Sequence, residues 1–125
     1  MSGQGTLRIP PTMALIVHTL DAETKTLRIE IGNDLLSTTF DKIVSGLDGI
    51  LGSDEVKKGP WSLLLLDLTQ AKLIDSMGLN LIVSLIKKAQ AHPAKIAARI
   101  TSPTIHRTFL FTRLEKYMEI ELIEA

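Results

Sequence analysis

The hydrophobic period of this chain switches between two residues and 3.6 residues several times, and that alternation restricts it to a layered fold of strands and helices. In Thr24–Ile31, Thr26, Arg28 and Glu30 alternate with Leu27, Ile29 and Ile31, the pattern of a strand with one wet face. Met13–Leu20 is a second β-friendly segment, and the short Asp21–Glu23 connection makes the pair a hairpin. After Gly32 the spacing changes: Leu36, Phe40, Ile43, Val44, Leu47 and Leu51 fall at steps of three and four, one apolar stripe on a helix. Asn33 or Asp34 is placed to cap its start and Gly52 to end it. Ser53–Pro60 reads as a charged loop.

Trp61–Thr69 contains an unbroken apolar run, Leu63–Leu66, which predicts a strand covered on both faces. From Ser76 to about Ala91 the helical period returns, with Asn80, Ser84, Lys87 and Lys88 on a narrow polar arc, and His92-Pro93 ends the segment. Lys95–Thr101 is a further strand. Ser102-Pro103 is a cap followed by proline at the first helical position. Ile105, Phe109 and Leu110 form the apolar side of the last helix, and Met118–Ile123 returns as a strand. The order ββαβαβαβ predicts an α/β sandwich with right-handed crossovers: a mixed sheet of about five strands with three to four helices.

Composition narrows the function classes. The 125 residues suit one domain, here 12–125, preceded by a loose leader over 1–11 that ends in Pro10-Pro11. With 45% hydrophobic residues and Lys+Arg equal to Asp+Glu at 14 each, the chain is neither a disordered polyelectrolyte nor a basic nucleic-acid binder. It has no cysteine, which removes disulfides, thiolate catalysis, iron–sulfur clusters and cysteine-ligated zinc. The first residues lack the basic start and apolar run of a secretion signal, and no segment approaches a membrane span. The expected location is the cytoplasm.

Signals of catalysis are thin. Phosphate-cradling glycine loops and the nucleophile elbow are missing, and His18, His92 and His106 are scattered over a strand, a helix end and a helix. Asp21, Glu23, Asp34, Asp67 and Asp75 lie near element ends, where capping and solvation account for them. No catalytic residue, cofactor or metal is expected. A small α/β enzyme using His106 or an aspartate is the rival from another class, and it requires a deep pocket with converging polar groups.

One segment stands apart, Leu66-Asp67-Leu68-Thr69-Gln70-Ala71-Lys72-Leu73-Ile74-Asp75-Ser76-Met77-Gly78-Leu79. A buried strand runs into a short loop, Leu73 and Ile74 plug that loop into the core, and Asp75-Ser76 opens a buried helix. The plain account is that Asp75 or Ser76 caps the helix and that Gly78 lets its first turn pack closely. The wider pattern resembles the STAS domain, most closely its stand-alone form, the anti-sigma factor antagonist. Members of that family typically show an apolar strand ending in Leu-Asp-Leu, a short loop, and Asp-Ser followed by a small residue, glycine and leucine. Ser102-Pro103-Thr104-Ile105-His106-Arg107 looks like a second family signature, and Phe109–Leu114 is similar to a third. The chain departs from the pattern at Met77, where a small residue is usual, at Arg113, where glycine is common, and at Asp34, an acid one place early.

The resemblance implies a protein that is not an enzyme and that works by partner switching. Ser76 falls at the position phosphorylated by a partner kinase that is itself an anti-sigma factor. Asp75, Met77, Gly78 and Leu79, with Asp34, would form the partner-binding surface. The implied partners are that anti-sigma factor serine kinase and a metal-dependent serine phosphatase, with no direct nucleic-acid contact; the oligomeric state stays open. The alternative within the same family is a regulatory subunit of a membrane transporter or a signalling scaffold.

Overall fold

A computed structural model describes residues 16–90 and 94–123. The leader expected over 1–11 and the helix stop at His92-Pro93 lie outside them. The described chain forms β1 (Ile16–Asp21), β2 (Thr26–Ile31), α1 (Phe40–Leu51), α2 (Asp54–Lys57), β3 (Leu63–Leu68), α3 (Ser76–Ala89), β4 (Lys95–Ile100), α4 (Pro103–Phe111), a 3-10 turn at Leu114–Lys116 and β5 (Glu119–Leu122). This is the expected α/β domain, a single mixed sheet of five strands with four helices.

The strands lie in the sheet in chain order, β1-β2-β3-β4-β5, with β1 antiparallel to β2 and the other pairs parallel. Crossovers of one hand that all step the same way across a sheet put every helix on one face. Burial follows that rule. Leu27, Ile29 and Ile31 of β2, Leu64, Leu66 and Leu68 of β3 and Ile96, Ala98 and Ile100 of β4 point into the core. They meet Ile43 and Leu47 of α1, Leu81, Ile82 and Leu85 of α3, and Ile105 and Phe109 of α4.

Among the described residues no helix covers the opposite face, which corrects the expectation of a two-sided β3. Leu63 and Leu65 are only half-buried. Their register neighbours Thr26, Arg28, Lys95 and Ala97 are half-buried or exposed. Apolar continuity in the sequence did not reveal this, because two leucines under a lattice of long charged side chains are tolerated at half burial. That lattice comprises Arg28 with Glu30 at 3.1 Å, Arg28 with Asp67, and Arg99 with Glu121 at 3.3 Å.

Three further expectations change. The first helix starts at Phe40, so neither Asn33 nor Asp34 caps it and Leu36 precedes it. Leu35 is instead drawn into a parallel bridge with Ile74, which keeps the chain extended beyond β2. The loop over 53–60 contains α2, nucleated by Ser53 Oγ accepting from Val56 N and anchored by Val56, which is buried. Leu110 is exposed, because Ile105 and Phe109 alone complete the contact of α4 with the core.

Candidate functional site

The candidate site sits where β2 and β3 end, and it is built from the two loops that leave them. Loop 32–39 and loop 69–75 extend the β2–β3 pairing: Leu35 N donates to Leu73 O at 2.9 Å and Asp75 N donates to Leu35 O at 3.0 Å. Two carboxylates tie the loops together from opposite sides. Asp34 Oδ1 accepts from Lys72 N (2.7 Å) and Leu73 N (3.2 Å), and Asp75 Oδ2 accepts from Ser37 N (2.8 Å). The far side of loop 69–75 is held from the end of β4. Thr101 Oγ1 donates to Thr69 O at 2.9 Å, and Ser102 Oγ donates to Lys72 O at 2.9 Å. Backbone groups that would otherwise need water are thus satisfied by neighbouring elements, and the loop is a fixed platform.

On that platform α3 begins. Asp75 is its N-cap, in an extended conformation, with Oδ1 accepting from Gly78 N at 2.9 Å. The N–H of Gly78, and next that of Ser37, hold the Asp75 carboxyl below the ordinary carboxylate range. Ser76 is the first helical residue; it is exposed, and its hydroxyl makes no hydrogen bond among the described residues. Gly78, in the first turn of α3, is buried against the neighbouring loop. A Cβ there would lie 1.9 Å from Leu35 O, so glycine is what allows α3 to start this close to loop 32–39.

Further back along β3, Asp67 closes the strand end. Its Oδ1 accepts from Thr69 Oγ1 (2.6 Å) and Thr69 N (3.0 Å), and its other oxygen pairs with Arg28. Burial pushes the Asp67 carboxyl up, but the two Thr69 bonds and the Arg28 charge outweigh it and hold the group below its usual value.

The model of the STAS domain family matches residues 18–124, nearly the whole described fold. The chain belongs to the STAS domain family. Solved structures of the same fold include a candidate anti-sigma factor antagonist of Thermotoga maritima, with a TM-score of 0.69 and 16% identity, 86% of each chain being covered. An anti-sigma factor antagonist from Mycobacterium paratuberculosis aligns with a TM-score of 0.66 at 14% identity over 92% of this chain and 90% of that one. The third, SpoIIAA, has been solved unphosphorylated (TM-score 0.57, 14% identity, 88% of each chain) and, as the Bacillus cell fate determinant, phosphorylated (TM-score 0.58, 16% identity, 84% of this chain and 89% of that one). At these identities the likeness is one of fold. No curated protein matches the chain.

Within this STAS domain the residues singled out from sequence divide by what they do. Ser76 and Met77 face solvent, Met77 at 38% exposure. Leu79 is half-buried and packs against the core, while Gly78 is covered by Leu35. Asp34 is half-buried and spends its carboxylate on the 72–73 backbone. Leu73 departs from its expected role as a core plug: it is 53% exposed, and Ile74 alone turns inward to pack on the core. Sequence reasoning missed Leu73 as a surface residue, since adjacent apolar residues in a loop carry no period to separate the inward one from the outward one. Leu73 and Met77 therefore place two apolar side chains on the surface, within four residues of each other and on either side of Ser76.

Among the described residues no helix is long and apolar enough to cross a membrane, and no group of three or more His, Asp and Glu could hold a metal ion.

Proposed function

We propose that this STAS domain is an anti-sigma factor antagonist that works by partner switching in the cytoplasm. In the unphosphorylated state the surface around Ser76 docks onto an anti-sigma factor, which releases its sigma factor. That anti-sigma factor is also a serine kinase, and phosphate transferred to Ser76 Oγ breaks the complex. A metal-dependent serine phosphatase removes the phosphate and resets the cycle.

The observation that carries this reading is the division of labour between Asp75 and Ser76. Asp75 does the capping, so the Ser76 hydroxyl is exposed and free of structural duty. A dianion there meets the positive end of α3, which the fold tolerates. The docking surface does not tolerate it. Two added charges beside Leu73 and Met77 would have to be dehydrated against a partner, and like-charge or unpaired-charge juxtaposition costs several kcal/mol. Each ~1.4 kcal/mol is tenfold in affinity, so one phosphate lowers binding by roughly two decades or more. The two forms of SpoIIAA, phosphorylated and unphosphorylated on one fold, support the same reading.

The direct experiment is affinity capture from the source cell with wild type, Ser76→Ala and Ser76→Asp, the captured proteins being identified by mass spectrometry. Wild type and Ser76→Ala should retain a small ATP-binding kinase, and Ser76→Asp should lose it. Incubating that kinase with ATP should place phosphate on Ser76 of the wild type alone. Equal capture by all three forms, or phosphate elsewhere, overturns the proposal. Recovery of a transporter ATPase or a larger signalling scaffold would move the protein to the other branch of its family. Leu73→Asp and Met77→Asp should each weaken capture while leaving the fold unchanged, because both side chains lie at exposed positions outside the core.

A further inference from the structure

At the end of the domain away from Ser76 lies a cavity of about 420 Å³. Its walls are Leu51 at the end of α1, Val56 of α2, Trp61 before β3 and Ala89 at the end of α3. Its origin is local. Val56 is buried and its carbonyl accepts from Trp61 Nε1 at 2.7 Å, which ties α2 to Trp61 on one wall of the cavity. The rim carries Asp48, Lys57 and Lys88. Lys88 pairs with Asp48, and with Lys87 it also answers the negative end of α3. Lys57 makes no ion pair among the described residues, which leaves one uncommitted ammonium over an apolar chamber.

We propose that this cavity is a binding site for a small amphipathic anion, an aliphatic or aromatic carboxylate whose apolar body lies along Leu51, Val56, Trp61 and Ala89 and whose head group meets Lys57. The volume falls in the ordinary range of small-molecule sites, roughly 300–1,000 Å³, and the lining is the usual one of apolar walls with a few polar groups at the mouth. Charge selects among amphiphiles: an amine is repelled by Lys57, whereas a carboxylate gains a charge-assisted contact. The site lies at the other end of α3 from Ser76, about 20 Å away along a helix of 14 residues. It is therefore separate from the partner surface.

Trp61 is the sole tryptophan in the chain and lines the cavity, so its emission reports occupancy. The probes are octanoate, octanol and octylamine, each titrated into the full chain. Octanoate should change Trp61 emission saturably and bind about tenfold more tightly than octanol, the worth of one charge-assisted contact. Octylamine should bind more weakly still. Lys57→Glu should cost octanoate at least that factor, while Lys58→Glu, at an exposed neighbour outside the lining, should not. Both substitutions are at exposed positions, and unchanged circular dichroism verifies the fold. A non-saturating response, octanol binding as well as octanoate, or the two lysine variants behaving alike would overturn the proposal. None of these outcomes touches the role of Ser76, since no partner protein enters the assay.

Discussion

Gly78→Ala is the substitution that most directly tests how α3 is seated. In an ordinary helix interior, replacing glycine by alanine stabilises by about 0.8–1 kcal/mol. Here the new methyl would stand 1.9 Å from Leu35 O, 2.6 Å from its carbonyl carbon and 2.8 Å from its Cβ. Carbon contacts are comfortable near ~3.5 Å, so the two segments must part by more than an ångström. Leu35 cannot yield cheaply. It is buried, and its N–H and C=O are bonded to Leu73 and Asp75. Overpacking costs about 1–3 kcal/mol and each strained hydrogen bond about 1 kcal/mol, against the propensity gain. The net expectation is a loss of roughly 2–4 kcal/mol, a fall in Tm of the order of 10 °C for a domain of this size. Gly49→Ala in α1 is the control, because nothing lies within 4 Å of its added methyl, and it should gain about 0.5–1 kcal/mol. Urea unfolding followed by circular dichroism, with the slope m checked for constancy, gives both values. If Gly78→Ala proves as stabilising as Gly49→Ala, the close approach of α3 to loop 32–39 is wrong.

Acid should destabilise the protein through Asp67 and Asp75. Both carboxyls titrate lower in the folded than in the unfolded chain, so their contribution is present above the unfolded value, about 4, and is lost as pH falls through it toward the folded value. Asp67→Asn should flatten the dependence of stability on pH below about 5, as chemical denaturation at several pH values will measure. Asp34→Ala removes the acceptor of Lys72 N and Leu73 N; amide hydrogen exchange at those two residues should quicken, with a loss of about 1 kcal/mol. Arg113 is held at φ 62°, a left-handed conformation that glycine adopts freely, so Arg113→Gly should stabilise by about 1 kcal/mol in thermal unfolding.

How much of this was legible beforehand depends on whether the cue was local. Strand and helix periods are written in consecutive residues, and they located all five strands and the three long helices. Asp75-Ser76 before an apolar helical stripe announced a cap without saying which of the two residues supplies it; the structure assigns it to Asp75, and the family pattern drew attention to Ser76. Val56 was missed because a helix of four residues is too short to show a period. Asp34 was misread because its carboxylate serves residues 38 and 39 positions away, and no local rule for caps reaches that far.

The alternation of apolar residues determined by itself that this chain would become a sheet with helices laid against it, since each period can bury its apolar side only in that form. Which side of the sheet stayed open, and which of Leu73 and Ile74 turned outward, was decided only by the assembled fold. Those outcomes depend on the direction in which successive crossovers step and on which loop meets which, and such relations exist between segments rather than within them.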